Sequence, residues 1–320
     1  MSAPALFPRH IAVLILALLA CSFAGNHIAA RIAFDHDTGL LLAILCRSGV
    51  TLLVLTSLVL WQRETLSLPA STWRWQLLLG LLIATQSFCI YSAVARIPVA
   101  LALLVVNVSP ILLALLTWAL GGARPTRHAA GLMALILFGL TLALDVPQRL
   151  SSREPQWLEG IAYAGTAAVV FAFALWITDN KLAGMRGSVR SMLTMAVVFV
   201  VAAVAGSSGV LPGGVDLPSS RIGWTALASL VLLYGLGFSL LFTCMARLDI
   251  SRNAPVMNIE PVASLLFGCL ILDQLLSSGQ ILGGLIVVSG IVLLTWRRAT
   301  PQAPQPPDKA LHHARERSDP

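Results

Sequence analysis

Apolar residues fall into ten runs along the chain, each close to the length of a membrane-spanning helix. The runs cover residues 11–31, 39–61, 74–95, 98–120, 127–146, 157–180, 189–206, 222–246, 252–272 and 279–296. A hydrocarbon core about 30 Å thick requires roughly 20 apolar residues in an α-helix. Turn-forming residues separate the runs, for example in 67–71, 121–125 and 206–220. The pattern therefore predicts an all-α membrane protein with ten transmembrane helices.

Composition excludes a soluble globular enzyme. The chain is 57% hydrophobic and 11% charged, whereas soluble domains carry about 25% charged residues. The net charge of +7 comes from basic residues between the runs and in the last segment. We therefore expect membrane lipid as a partner and no nucleic acid. Residues 297–320 combine prolines with charges and are predicted to form a disordered cytoplasmic tail.

The distribution of Lys and Arg orients the chain, because cytoplasmic loops are enriched in both. With the N-terminus in the cytoplasm, fifteen of these residues fall in cytoplasmic segments and five in periplasmic ones. This predicts a bacterial-type inner (plasma) membrane location with both termini cytoplasmic. A lipoprotein signal ending at Cys21 is the alternative and would leave nine helices. The apolar run continues to Ala30, which favours a first transmembrane helix.

The two halves of the chain resemble each other at an offset of 151 residues, since 95–96 matches 246–247 and 107–110 matches 258–261. The predicted repeats are 11–146 and 157–296, with five helices each. Because five is odd, the second repeat must insert upside down relative to the first. Inverted repeats are typical of secondary transporters. The alternative is a relic of duplication in a channel or scaffold.

These features resemble the EamA-type carriers of the drug/metabolite transporter superfamily. The residues that carry the resemblance are Arg47, the Asn-x-x-Pro of 107–110, the Asn-x-Glu-Pro of 258–261, and the glycines of 279–290. Asp273 stands where that family commonly has Glu. The resemblance implies a ten-helix fold and efflux of small metabolites, without naming one.

Two ionisable residues lie well inside apolar runs, and both have more than one interpretation. A charge at membrane depth costs at least about 2.5 kcal/mol, so such residues face the bundle interior. Arg47 either pairs with an anionic group of the substrate or satisfies backbone carbonyls and stabilises the fold. Glu260 binds a substrate ammonium, takes the proton that drives transport, or hydrogen-bonds across helices. Their positions in opposite halves of the bilayer disfavour a direct salt bridge between them.

Other polar and aromatic residues are predicted to line the same cavity: Gln86, Ser87, Tyr91, Asn107, Trp176, Asn258 and Ser264. Pro110 and Pro261 each remove a helix hydrogen bond and are expected to kink the fourth and ninth helices. For His27, an interfacial position is favoured over a proton relay. Gly279 and Gly283 form a GxxxG spacing that we expect to pack within the chain. Monomer and homodimer both remain open.

The sequence favours a secondary transporter that exports small metabolites such as amino acids or drugs, with a proton as candidate coupling ion. A non-transporting membrane scaffold or receptor is the alternative. No enzyme is expected, because the buried ionisable residues form no catalytic constellation and no nucleotide motif occurs. The five cysteines lie in apolar runs without metal-like spacing, so we predict no metal and no other cofactor.

Overall fold

The computed structural model describes residues 7–63, 72–122, 124–144, 155–208, 214–244, 248, 256, 259–274 and 276–298. No strand occurs in these ranges. The α-helices are α1 (Arg9–Asp35), α2 (Leu40–Trp61), α3 (Trp73–Val94), α4 (Val99–Val106), α5 (Ser109–Ala119), α6 (Arg127–Ala143), α7 (Pro155–Asn180), α8 (Gly187–Ser208), α9 (Arg221–Cys244), α10 (Ile259–Ile271) and α11 (Ser278–Arg298). The predicted all-α class is confirmed for the described part of the chain.

Seven helical segments are long and apolar enough to cross a membrane: α1, α2, α3, α4 together with α5, α7, α8 and α9. Three further apolar helices, α6, α10 and α11, are shorter in the described residues. The protein is thus a multi-pass membrane protein, while the count of ten spans stays a prediction. Most of 249–258, where the ninth predicted helix begins, lies outside the described residues. From residue 299 onward, the predicted tail also lies outside the described residues.

Large apolar side chains cover the outer surface of the helices. Leu53, Leu236 and Leu270 are 65–71% exposed, although each lies within a helix. Water would not tolerate so much apolar surface, whereas hydrocarbon is a suitable solvent for it. The surface chemistry therefore agrees with the apolar runs of the sequence.

The fourth predicted helix is interrupted beside its proline. Helix α4 ends at Val106, and α5 begins at Ser109 with Pro110 in its first turn. Proline has no N–H to donate to the carbonyl four residues earlier, which is that of Val106. Asn107 and Val108 keep φ and ψ near helical values, so α4 and α5 continue as one span. Pro261 is the third residue of α10, so it lies at the start of that helix and does not interrupt it.

Helix packing joins the two predicted repeats far more than it joins helices within one repeat. The cross-repeat neighbours are α1 with α9 and α10, α2 with α8 and α9, α3 with α7 and α8, α4 and α5 with α7, α4 with α10, and α6 with α11. The main buried apolar cluster lies where α2, α3 and α4 meet α7, α8 and α9.

Helices α6 and α11 pack mainly against each other, at one side of this bundle. Gly283 makes their close approach possible. A Cβ atom at Gly283 would collide with the backbone N of Ala143 and would lie 2.6 Å from the carbonyl O of Gly139. The expected packing of the GxxxG segment within the chain is therefore confirmed for Gly283.

Contacts between connecting segments show which helix ends lie together. The N–H of Gly39 donates to the carbonyl of Asp216 (2.9 Å), and the N–H of Ser219 donates to that of His36 (3.1 Å). At the other end of the bundle, in the N-terminal parts of α3 and α8, the Gln76 amide donates to the Thr194 hydroxyl (3.0 Å). The α1–α2 and α8–α9 connections thus share one end of the bundle, as the predicted alternation of the helices requires.

Candidate functional site

A buried arginine forms the centre of the candidate site. Helix α2 buries a face in which Ala43, Ile44, Arg47 and Thr51 recur at helical spacing, so Arg47 points into the bundle. Its side chain is only 3% exposed. Its Nη2 donates to the hydroxyl of Ser87 (2.7 Å), and its Nη1 donates to that of Tyr91 (3.1 Å).

Two tyrosine rings enclose the guanidinium of Arg47. Its Cζ lies 4.7 Å from the ring centroid of Tyr91 and 4.2 Å from that of Tyr234. Tyr234 in turn contacts Phe23 and Phe238, with ring centroids 6.0 and 4.6 Å away. An aromatic ring presents a negative face, so both tyrosines stabilise the cation away from water.

A chain of hydrogen bonds holds Tyr91 in place. Its hydroxyl donates to Asn26 Oδ1 (3.3 Å), and Asn26 Nδ2 donates to the carbonyl of Leu230 (2.9 Å). Tyr91 and Asn26 are fully or almost fully buried. These hydrogen bonds link α2, α3, α1 and α9, so the site is built from both predicted repeats.

Arg47 keeps binding capacity that the protein does not use. In the described part of the chain, no carboxylate lies within 4.0 Å of its guanidinium, and Nε has no hydrogen-bond partner. A buried cation without a paired anion is costly. A carboxylate or another anion that reached Nε of the guanidinium would be bound strongly.

Beside this cluster, His27 and Glu260 form a second polar pair. His27 Nε2 lies 3.8 Å from Glu260 Oε1, and the two side chains are 12% and 23% exposed. The rings of His27 and Tyr91 are nearly perpendicular, with centroids 6.0 Å apart. The rotation of α1 turns His27 toward α3 and α10, so its side chain faces the bundle, while its interfacial position stays a prediction.

Some of the predicted site residues join Arg47, whereas others form hydrogen bonds within their own helix. Ser87 and Tyr91 join Arg47, and Gln86 is half-buried one position before Ser87 on α3. Asn107 Nδ2 donates to the carbonyl of Leu103 (2.8 Å), within its own helix. Ser264 likewise donates to the carbonyl of Pro261 (2.8 Å).

Trp176 lies apart from the Arg47 cluster. It packs with Leu79 and Ile177 near the C-terminal end of α7, and Lys181 Nζ lies 5.5 Å from its ring centroid. Asn258 falls outside the described residues. In the described residues no group of three or more His, Cys, Asp or Glu side chains is placed to hold a metal ion.

Sequence reasoning left Asn26, His27 and Tyr234 out of the site. Asn26 and His27 are polar residues inside an apolar run, which is the same signal that identified Arg47. Tyr234 gave no such signal, because an aromatic residue in a transmembrane helix faces lipid as readily as the interior.

The fold and this candidate site together define a multi-pass membrane protein with a buried polar cluster between two groups of helices. The model of the EamA-like transporter family matches residues 10–145 and again residues 158–296. The chain therefore belongs to the EamA-like transporter family, a family of membrane transporters.

Two similar proteins illustrate this membership. The probable amino-acid metabolite efflux pump of Escherichia coli (strain K12) is 25% identical over 186 residues, which is 54% of this chain and 60% of that protein. The match thus spans less than two thirds of the relative. The crystal structure of another protein is similar to this chain with a TM-score of 0.60 and 20% sequence identity. The similarity covers 92% of this chain and 98% of the other chain. At this identity the likeness shows the fold alone.

Proposed function

We propose that this protein is a secondary transporter that exports amino acids or related zwitterionic metabolites across the bacterial inner membrane by alternating access. The buried Arg47 guanidinium, whose Nε has no hydrogen-bond partner among the described residues, is the observation that carries the proposal. Arg47 binds the substrate carboxylate there. The name of the Escherichia coli relative, a probable amino-acid metabolite efflux pump, supports this substrate class.

The proposed transport unit has ten helices in two inverted repeats, residues 11–146 and 157–296, with both termini in the cytoplasm. The symmetry of the helix packing supports this arrangement. Exchange of the repeats replaces α1, α2, α3 and α6 by α7, α8, α9 and α11, and α4–α5 by α10. It converts the α1–α9 contact into α7–α3, α1–α10 into α7 with α4 and α5, and α2–α9 into α8–α3, all of which occur. The α2–α8, α4–α10 and α6–α11 contacts map onto themselves.

Two such repeats have equivalent conformations, so rocking one against the other turns an outward-facing site into an inward-facing one. Pro110 and Pro261 lie at the interrupted fourth helix and the start of α10, and serve as bending points. Helices α6 and α11 stay at the periphery. Gly283 packs against α6 of the same chain, which favours a monomer as the transporting unit.

Glu260 supplies the coupling. Its carboxylate binds either the substrate ammonium or a proton, so the two compete for one site. A proton that enters as the substrate leaves then drives export, because exclusive binding at one carboxylate links the two movements. His27 and the Arg47 cluster place this carboxylate beside the proposed carboxylate site of the substrate.

The test is transport by Glu260→Gln, which keeps the shape of the side chain and removes its titrating proton. Purified protein in proteoliposomes would be assayed with a radiolabelled mixture of the proteinogenic L-amino acids, with and without a pH gradient. We expect Glu260→Gln to move substrate more slowly, because the ammonium loses its carboxylate partner, and at a rate independent of the gradient. Glu159→Gln, which changes a carboxylate at the end of the bundle paired with Arg96, is the matched control and should keep the dependence.

Two results would contradict the proposal. Normal transport by well-folded Glu260→Gln at every pH would make Glu260 structural and exclude proton coupling through it. Failure of the wild-type protein to move any amino acid would refute the substrate class and would favour a scaffold or receptor.

A further inference from the structure

The two ring nitrogens of His27 have different surroundings. Its Nε2 faces Glu260 Oε1 at 3.8 Å, while its Nδ1 is buried and has no hydrogen-bond partner among the described residues. An imidazole can accept a proton on one nitrogen and release another proton from the other. A buried imidazole with one nitrogen toward a carboxylate and the other unpaired is therefore arranged for proton transfer.

We propose that His27 carries protons to and from Glu260, an inference that rests on the proposed function. The O–H bond of protonated Glu260 breaks, and the proton forms a bond to His27 Nε2. Glu260 becomes a carboxylate and His27 an imidazolium. When the movement of the helices admits water to Nδ1, the imidazolium loses its Nδ1 proton to that water and returns to a neutral ring. In the reverse order, water protonates Nδ1, and the Nε2 proton passes to Glu260, which restores the first tautomer.

The distance between the two side chains ties this transfer to helix movement. At 3.8 Å the pair is longer than a hydrogen bond, which for N–H···O is 2.7–3.2 Å. Transfer requires α1 and α10 to approach each other by a fraction of an ångström. Because α1 and α10 belong to different repeats, the motion that opens and closes the transporter also makes and breaks the proton path.

The other charged and titratable groups of this cluster make a protonated His27 short-lived. They are Arg47 on α2, Tyr91 on α3 and Tyr234 on α9, while α4 contributes no titratable side chain. Arg47 and His27 both contact Tyr91, so the guanidinium and a protonated His27 are like charges within one buried cluster. Repulsion between like charges in a low-dielectric interior disfavours a stored proton on His27. His27 therefore passes protons on, and Glu260 holds them.

The first experiment follows protonation of Glu260 without any substrate. A caged proton is photolysed in a solution of the purified full-length protein. The carboxyl infrared band that Glu260→Gln removes is then recorded over time. We expect His27→Gln and His27→Asn to reach the wild-type band amplitude at least about tenfold more slowly, since a positioned acid–base group accelerates proton transfer by roughly 10²–10⁴-fold. Added imidazole should restore part of the rate.

His36→Gln is the matched control, because His36 is a half-buried histidine that directly follows the C-terminal end of the same helix. It should protonate Glu260 at the wild-type rate. Circular dichroism melting checks the fold of each variant, and the two His27 substitutions provide separate chances of a folded protein. Equal protonation rates in wild type and a folded His27 variant would overturn the proposal, as would the absence of a titrating Glu260 band.

The second experiment separates substrate movement from proton movement. In proteoliposomes containing the radiolabelled amino-acid mixture, substrate exchange by His27→Gln at equal pH should fall less than its gradient-driven transport, because exchange moves no net proton. Its gradient-driven transport should fall about tenfold, within the range of positioned acid–base catalysis. Loss of both activities would contradict a role confined to protons. If the wild-type protein moves no amino acid while the infrared rates differ as expected, the transport proposal fails and proton transfer by His27 stands.

Discussion

Replacement of Arg47 by Met would separate a binding role from a structural one. Met fills a similar volume without charge, so the variant loses the hydrogen bonds to Ser87 and Tyr91 and the two ring contacts. Each hydrogen bond from a charged donor contributes about 1.5–3 kcal/mol. Stacking on the rings adds about 1–2 kcal/mol.

The cost of burying the guanidinium offsets these contributions. Removing a charge from water costs several kcal/mol, and no carboxylate among the described residues compensates for it at Arg47. We therefore expect Arg47→Met to change the free energy of unfolding by less than about 2 kcal/mol, because replacement of buried charges by apolar residues is often neutral. The midpoint of thermal unfolding should then move by less than roughly 8 °C.

Binding should respond very differently from stability. Loss of a charge-assisted pair with the substrate carboxylate, worth about 3 kcal/mol, raises Kd by roughly 100-fold. The assay combines thermal unfolding of purified protein with binding and transport of the amino-acid mixture. Arg31→Met is the control, because it removes an arginine that donates to the Val94 carbonyl at the end of the bundle. It should retain both binding and transport.

A different pattern would refute this reasoning. If Arg47→Met melts far below wild type and Arg47→Lys melts normally, the charge stabilises the fold and the binding role is not needed. If Arg47→Met folds and transports normally, Arg47 does not bind the substrate.

Two further predictions concern topology and packing. Reporter fusions at Gln148 and Arg186 should give periplasmic and cytoplasmic signals respectively, because of the bias of Lys and Arg between the connecting segments; the reverse result would contradict the orientation. Gly283→Ala should destabilise the protein by about 1–3 kcal/mol in thermal unfolding, since its Cβ collides with α6. Gly165→Ala meets no atom within 4 Å and should be neutral or stabilising by up to about 1 kcal/mol, and equal effects of the two substitutions would disprove the close approach of α6 and α11.

Several parts of the fold were accessible from the sequence alone. Apolar run lengths predicted the helices, because the bilayer imposes a fixed thickness and demands internal hydrogen bonding of the backbone. Pro110 located the interruption between α4 and α5, since a missing N–H acts locally. Arg47 and Glu260 stood out as charges in apolar surroundings, which lipid does not tolerate.

Only the tertiary structure decided which of these residues meet. Lipid contains no water that would mark one face of a helix as buried, so an apolar helix carries little information about its rotation. The rotation of α1 turns Asn26 toward Tyr91 and His27 toward Glu260, and that of α7 leaves Trp176 beside Lys181. These rotations are set by contacts between helices far apart in the chain, such as the hydrogen bond from Asn26 to the Leu230 carbonyl and the close approach of Gly160 to Ile97, which the order of residues within one helix does not determine.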